Sequence, residues 1–335
     1  MKKNLILVTI CLVLILTITE FTFAQEMTFK ISDVNNPKDL VSLGAFYIRD
    51  RINELSNGRI VPKVYPNGVL SGGKGQAEIE MCQQGTIEME ITTTAYLGNL
   101  ENTMSIFSLP FMFKDTDQLT AFVKSDSSVV NRISQKLEKY GLKVLGYWPR
   151  GFRQLSNSKR PVKKLEDLKG LKIRVMNDPL YVDTINTLGA CAVPMAYGEL
   201  YTALQLKTVD GQENAEVTMY TKGLYEVQKY LTVWDYSVDL EAVLVNLDWW
   251  KNLSKEDQSI IQQAVNESIG YEAKLVKESV IDYRKKVEES GTEVNILNIE
   301  EKAKLREAVK PVWEKYREVF GSDLLDEFIE TVSEY

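Results

Sequence analysis

The chain has 335 residues, 40 Lys and Arg against 47 Asp and Glu, a net charge of −7, and no histidine. Without His there is no imidazole acid–base catalysis, no Ser-His-Asp or Cys-His nucleophile and no His-ligated metal site. The acidic balance, with no basic stripe interleaved with aromatics, argues against a nucleic-acid surface, and the length suggests two domains.

The first residues, Met1-Lys2-Lys3, an apolar run from Leu5 to Thr19 and then Phe23-Ala24-Gln25, have the layout of a secretory signal peptide. Cleavage is expected after Ala24, with Thr22 and Ala24 as the small residues, so that 1–24 is the signal and the rest is exported to the periplasm. An uncleaved anchor is the alternative. Cys11 follows Ile10, where a lipid-attachment site would have Gly or Ala. Loss of Lys2, Lys3 and Glu20 leaves the remainder one unit more negative. No later stretch is long and apolar enough to cross a bilayer. Export permits a disulfide, but Cys82 and Cys191 lie far apart in apolar contexts and read as two buried free thiols.

Alternation over Met27–Val34 predicts a first strand, and Asn35-Asn36-Pro37 opens a helix carrying Leu40, Leu43, Tyr47, Ile48, Ile52 and Leu55 along one side. Strands are expected at Ile60–Tyr65 and Ile87–Thr92, with a helix from Gly72-Gly73 to Gln84 between them. The segment Asp115–Tyr140 is helical in pattern. Leu142–Trp148 reads as a strand ended by Pro149-Arg150-Gly151. A second set follows, with strands at Phe152–Ser156, Leu171–Val175 and near Cys191–Pro194, and helices near Pro179–Leu188 and Gly198–Leu206. Leu240–Leu247 is an apolar strand. Ser254 caps a helix running from about Lys255 to about Ser290, long enough to bridge two lobes, with Gly270 as a point of bending. A short strand at Glu293–Leu297 and helices near Glu300–Phe320 and Leu324–Val332 complete an α/β chain.

Two arginines and a polar pentapeptide stand out. In Gly170-Leu171-Lys172-Ile173-Arg174-Val175, Leu171, Ile173 and Val175 share one strand face, and Lys172 and Arg174 the other. Arg153 lies in Gly151-Phe152-Arg153-Gln154-Leu155-Ser156-Asn157. Each guanidinium could form paired hydrogen bonds to a carboxylate in a cleft, or lie exposed on a sheet surface. Asp210-Gly211-Gln212-Glu213-Asn214 reads as a turn whose Asn214 amide can both donate and accept. Tyr197 could lay its ring on a ligand or fill the core, and Asn177 could bond a ligand or cap the next helix. Phe107–Phe113 reads as packing between lobes. Of Glu78, Glu80 and Glu88, a solvated face by pattern, Glu80 is taken as ligand-side; Trp148 is a further candidate for a sugar ring face. No phosphate loop, metal cluster or paired catalytic carboxylates can be recognised, so no cofactor, metal or enzymatic activity is expected.

Taken in order, Phe107–Phe113, Gly151–Asn157, Leu165–Val175, Pro194-Met195-Ala196-Tyr197 and Asp210–Asn214 resemble the extracytoplasmic solute-binding proteins of tripartite ATP-independent periplasmic (TRAP) transporters. The resemblance implies the two-lobed periplasmic-binding-protein fold, with crossing strands and a long helix spanning both lobes. It implies lobe I at 25–150 plus 239–278, lobe II at 151–238 plus 279–335, and no catalysis. It also implies capture of a small organic acid (a uronate, an aldonate or a C4-dicarboxylate) and delivery to TRAP membrane subunits. Arg174 then matches the carboxylate clamp, Arg153 a second cleft arginine, Asn214 the closing amide, Tyr197 a frequent aromatic and Asn177 an occasional polar contact. Met176 departs from the Pro of many relatives. An exported carboxylate-dependent hydrolase or lyase, and a ligand sensor for a membrane receptor, are the competing readings.

Overall fold

The computed structural model describes residues 26–125 and 127–335; the expected signal peptide, Cys11 included, lies outside them. In chain order the elements are β1 (Lys30–Ser32), α1 (Leu40–Leu55), β2 (Lys63–Tyr65), α2 (Gly75–Gln83), β3 (Met89–Thr93), α3 (Thr94–Leu97), α4 (Thr116–Lys124), α5 (Ser128–Gln135) and β4 (Leu142–Asn157). Then come β5 (Lys172–Val175), α6 (Pro179–Thr187), β6 (Cys191–Pro194), α7 (Leu200–Gln205), β7 (Gly211–Asn214), α8 (Glu216–Thr221) and β8 (Tyr230–Asn246). The chain ends with α9 (Leu247–Asn252), α10 (Lys255–Glu289), β9 (Glu293–Ile296), α11 (Ile299–Ala308), α12 (Lys310–Phe320) and α13 (Ser322–Ser333).

The strands follow the order β2-β1-β3-β8-β4-β7-β5-β6, with β9 also on β8. Parallel β1, β2 and β3 at one end and parallel β5, β6 and β7 at the other are each joined by helical crossovers, as parallel pairing requires. Between them run two long antiparallel strands, β4 and β8, paired from Leu142↔Asn246 to Asn157↔Tyr230. One half of β8 carries β3 and the other carries β9, so the same pair of strands serves both halves of the molecule.

These crossing strands differ from the sequence expectation. Leu142–Trp148 and Phe152–Ser156 are one strand, and the apolar segment Leu240–Leu247 is only the end of β8 and the first residue of α9. The pairing skips at Pro149/Gly151, where Gly151 has φ +100° and Arg150 is the extra residue. A bulge accommodates both a proline without a donor and a left-handed glycine, so the local break signals do not end the strand. The pentapeptide also differs: Gly211–Asn214 is a buried strand, antiparallel to β4 and parallel to β5. Gly211 is required there, since a Cβ would come within 2.2 Å of the Ser156 carbonyl oxygen. The single helical segment expected over Asp115–Tyr140 is two helices, each opened by an extended residue.

The long helix is α10, about 52 Å at 1.5 Å per residue. The Ser254 hydroxyl accepts the Asp257 N–H at its start, and it runs through Gly270 without interruption. Its buried stripe, Ile261, Ala264, Val265, Ser268, Glu272 and Val276, recurs every three to four residues and lies along β4, α1 and α8. At the C-terminus Phe328 of α13 packs edge-on to Phe107 and Phe122, so the last helix lies against α4 and α5. Among the described residues no helix is long and apolar enough to cross a membrane. Cys82 is buried as expected, but Cys191, at the start of edge strand β6, is exposed, and both are free thiols. Glu78 is not on a solvated face: it is fully buried on the inner side of α2.

Candidate ligand-binding cavity

The parallel strands of the two halves end against the middle of β4 and β8, and a small cavity forms there. Its walls are Val34, Asn35, Ile91, Thr92, Thr93 and Tyr96 from the first half, Arg174, Met176, Tyr197 and Asn214 from the second, and Arg150, Arg153 and Glu241 from the crossing strands. It encloses about 30 Å³, room for a water-sized group.

Arg174 is fully buried on β5, the face assigned to it by alternation, while Lys172 two residues earlier is exposed. Its Nε and Nη2 donate to the Met195 carbonyl at 3.0 and 2.6 Å. Its Nη1 is buried and donates to nothing among the described residues. A carbonyl orients the guanidinium without cancelling its charge, which leaves one edge of the fork for an acceptor in the cavity. Arg153 has a different environment. It forms a buried ion pair with the Glu213 carboxylate and also donates to the Glu213 carbonyl at 2.7 Å. Tyr236 donates its hydroxyl to the same carboxylate at 2.8 Å, and the Arg153 guanidinium sits 5.4 Å from the Tyr181 ring centroid.

Arg150 is the residue that sequence reasoning missed. The bulge at Gly151 turns its side chain toward the cavity, where it pairs with Asp39 at 2.8 Å and Glu241 at 3.1 Å and donates to Thr218 at 2.9 Å. Thr221 donates to the same Asp39 oxygen at 3.1 Å. One carboxylate, the N-cap of α1, thereby ties α1 to β4 and α8. The signal for Arg150 was present only as an arginine inside Pro149-Arg150-Gly151, which reads as a turn. Asn35 and Tyr96 were equally silent in the sequence.

The remaining candidates separate into three groups. Asn214 and Tyr197 line the cavity with Arg153 and Arg174; burial pushes the Tyr197 hydroxyl above its ordinary value, and it has no hydrogen-bond partner among the described residues. Asn177 and Glu80 line a separate, larger space of about 390 Å³ on the other side of Tyr96. Trp148 lies in neither. It is packed in the core between β4 and α1, where its indole N–H donates to Ser268 at 2.8 Å. Gly44 makes room for it, since a Cβ there would meet the indole at 2.8 Å. Expecting Trp148 at the ligand placed it at the end of a strand; it is mid-strand, on the face turned to α10.

Residues 31–319 match the family described as "Bacterial extracellular solute-binding protein, family 7". The chain belongs to this family, the solute-binding proteins of TRAP transporters. It is 31% identical over 309 residues to the 2,3-diketo-L-gulonate-binding periplasmic protein YiaO of Escherichia coli (strain K12), covering 92% of this chain and 88% of that one. It is 31% identical over 304 residues, 90% of each chain, to the C4-dicarboxylate-binding periplasmic protein DctP of Rhodobacter capsulatus. The crystal structure of the sugar acid binding protein DctPAm from Advenella mimigardefordensis strain DPN7T in complex with galactonate superposes with a TM-score of 0.88 at 29% identity, over 92% of this chain and 99% of that one. The family members are binding proteins for transport, and the two-lobed architecture is theirs.

Proposed function

We propose that this TRAP solute-binding protein works in the periplasm, where it captures a small organic acid, a sugar acid or a C4-dicarboxylate, and hands it without chemical change to TRAP membrane subunits. Arg174 grips the ligand carboxylate. Asn214 and Tyr197 bond the neighbouring oxygens, and Arg153 holds the wall in place. In this reading lobe I comprises 25–150 with 239–278 and lobe II 151–238 with 279–335, and the ligand favours the closed form because only there does it touch both lobes.

The observation that carries the proposal is the Arg174 side chain, buried with one nitrogen unbonded at the cavity. A buried cation of this kind lowers its free energy by taking an anion, and a desolvated carboxylate needs paired donors in return. Replacing Arg174 with Ala should weaken acid binding on the order of 2–5 kcal/mol, read by titration calorimetry against galactonate, galacturonate and succinate. Binding of the same acids at unchanged affinity would remove Arg174 from the site. Turnover of any of these acids by the purified protein would favour the hydrolase or lyase reading instead.

A further inference from the structure

Two side chains near Arg174 lack a hydrogen-bond partner among the described residues. One is Tyr197, whose buried hydroxyl bonds to nothing there although its residue lines the cavity. The other is Lys222, the residue that ends α8. It is half-buried, lines no part of the cavity, and among the described residues forms no hydrogen bond or ion pair. Its ammonium lies 4.2 Å from the centroid of the Tyr197 ring, within the range where a cation is drawn to an aromatic face. Desolvation pushes the Lys222 ammonium below its ordinary value, the Arg174 charge adds to that, and the Asp39 carboxylate opposes it. Both members of the pair are held from outside. Arg150 donates to the Thr218 hydroxyl at 2.9 Å and Thr221 donates to Asp39 at 3.1 Å, which ties down the helix that carries Lys222. Tyr197 begins a short turn whose next residue, Gly198, meets Gly73 backbone to backbone, its N–H donating to the Gly73 carbonyl at 3.2 Å. A Cβ on Gly198 would lie only 3.3 Å from the Gly73 Cα.

We propose that Lys222 is a positioning residue for ligand capture: its ammonium holds the Tyr197 ring by one face and draws electron density from it, so that the phenol hydroxyl donates to the bound anion. The inference rests on the acid-capture reading given above and adds to it a residue that does not touch the ligand. A cation on the ring face makes the phenol O–H a stronger donor, and a donor bonded to an ionised acceptor is worth more than one bonded to a neutral group. The anion in turn supplies the acceptor that the buried Tyr197 hydroxyl lacks. Two other roles compete. A lysine at the end of a helix offsets the helix dipole, which does not involve Tyr197. A cation this near Arg174 also attracts any anion by charge alone, again without the ring. The three roles differ in whether the effect of Lys222 passes through the Tyr197 hydroxyl.

A double-mutant cycle on the whole protein tests this, read by calorimetry with whichever of galactonate, galacturonate and succinate wild type binds most tightly. Lys222→Met keeps the length of the side chain and removes its charge; it should weaken binding about fivefold, and Lys222→Arg, which keeps the cation, should stay within about twofold of wild type. Tyr197→Phe keeps the ring and removes the hydroxyl. It should weaken binding too, and in that background Lys222→Met should change affinity by less than about twofold. Lys222→Gln serves if Lys222→Met does not fold. The same fivefold loss in both backgrounds overturns the inference and makes Lys222 a charge acting directly on the anion. Unchanged affinity in Lys222→Met or in Tyr197→Phe overturns it as well, and so does a loss that Lys222→Arg fails to restore. In each of these outcomes acid capture survives, because acids still bind; if wild type binds none of the three acids, that reading falls and this inference with it.

Discussion

Buried charge is handled in two ways around this cavity. Along the crossing strands it is balanced: Arg153 faces Glu213, and Arg150 faces Asp39 and Glu241, each at hydrogen-bonding distance. On the flanks it is not. Arg174 on one side bonds only a carbonyl. On the other, Asp33, Glu78 and Glu90 are buried together, and none forms an ion pair among the described residues. In the balanced region the protein itself supplies the partners. Under the proposed function the unbalanced positions respond to what arrives, an anion for Arg174 and a proton for the acids. An arginine in a cleft is thus not by itself a ligand group; what its other nitrogens already hold decides.

The sharpest way to break this comparison is to take the Glu213 carboxylate away from Arg153. Glu213→Ala removes the carboxylate that pairs with the buried Arg153 guanidinium and strands the Tyr236 hydroxyl. Removing one partner of a buried pair costs about 3–5 kcal/mol, read as a lower midpoint in urea unfolding at unchanged slope. A loss below about 1 kcal/mol, the level of an exposed ion pair, would mean that Arg153 is not held by Glu213. Arg174→Ala should contrast with it, weakening ligand binding while costing less unfolding stability, since the group left behind is the Met195 carbonyl and not a charge.

The acid flank sharpens the comparison through pH. Burial pushes the Asp33 carboxyl up to about 7, against opposing hydrogen bonds from Ser42 and the Asn35 N–H, with Asp39 and Glu78 adding to the rise. Burial likewise pushes Glu78 up, and Glu90 well up with Glu78 and Asp33 beside it. A group whose folded value is raised binds its proton more tightly folded than unfolded, so stability falls as pH climbs from the unfolded value to the folded one. For Asp33 that window runs from about 4 to about 7. Asp33→Asn keeps the oxygen that accepts from Ser42 and Asn35 and removes the titration. It should stabilise the protein at pH 8 by about 1–4 kcal/mol, because each tenfold gain in proton affinity on folding is worth about 1.4 kcal/mol, and change little near pH 4. Equal melting temperatures for variant and wild type at both pH values would show that Asp33 is ionised at no cost where it lies.

The same contrast explains what could be read from the sequence. Hydrophobic period placed α1, α10 and most parallel strands, because each buries one face or stripe against its neighbours. Alternation put Arg174 opposite Ile173, and the structure keeps it there, inward. The crossing strands were not legible as units. Pro149 and Gly151 are local stop signals, overruled by pairing with β8, a contact close to one hundred residues away in sequence. Arg150 was lost with that strand, since its role depends on a bulge. Gly211–Asn214 looked like a turn because its residues are polar, yet it is buried between β4 and β5, where Gln212 donates to Ser156 and Glu213 takes Arg153. Polar strands of this kind become readable only when their partners are known.

Trp148 supplies the smallest effect and the cleanest separation of sequence from structure. An aromatic near the junction of the two halves suggests a platform for a sugar ring, but the indole is enclosed by the core around α1 and α10 and its N–H is already held by Ser268. Ser268 loses no donor of its own when the indole goes, because its hydroxyl also donates to the Val265 carbonyl at 2.6 Å. Trp148→Phe therefore removes one neutral hydrogen bond and part of a ring, expected to cost about 1–2 kcal/mol of stability. Ligand affinity should stay within about twofold of wild type, less than about 0.5 kcal/mol. A fall in affinity at unchanged stability would put the indole at the ligand after all, and the balanced region would then include a group that contacts the ligand. A fall in stability alone places Trp148 with Arg150 and Arg153, among the residues that hold the wall and leave recognition to Arg174.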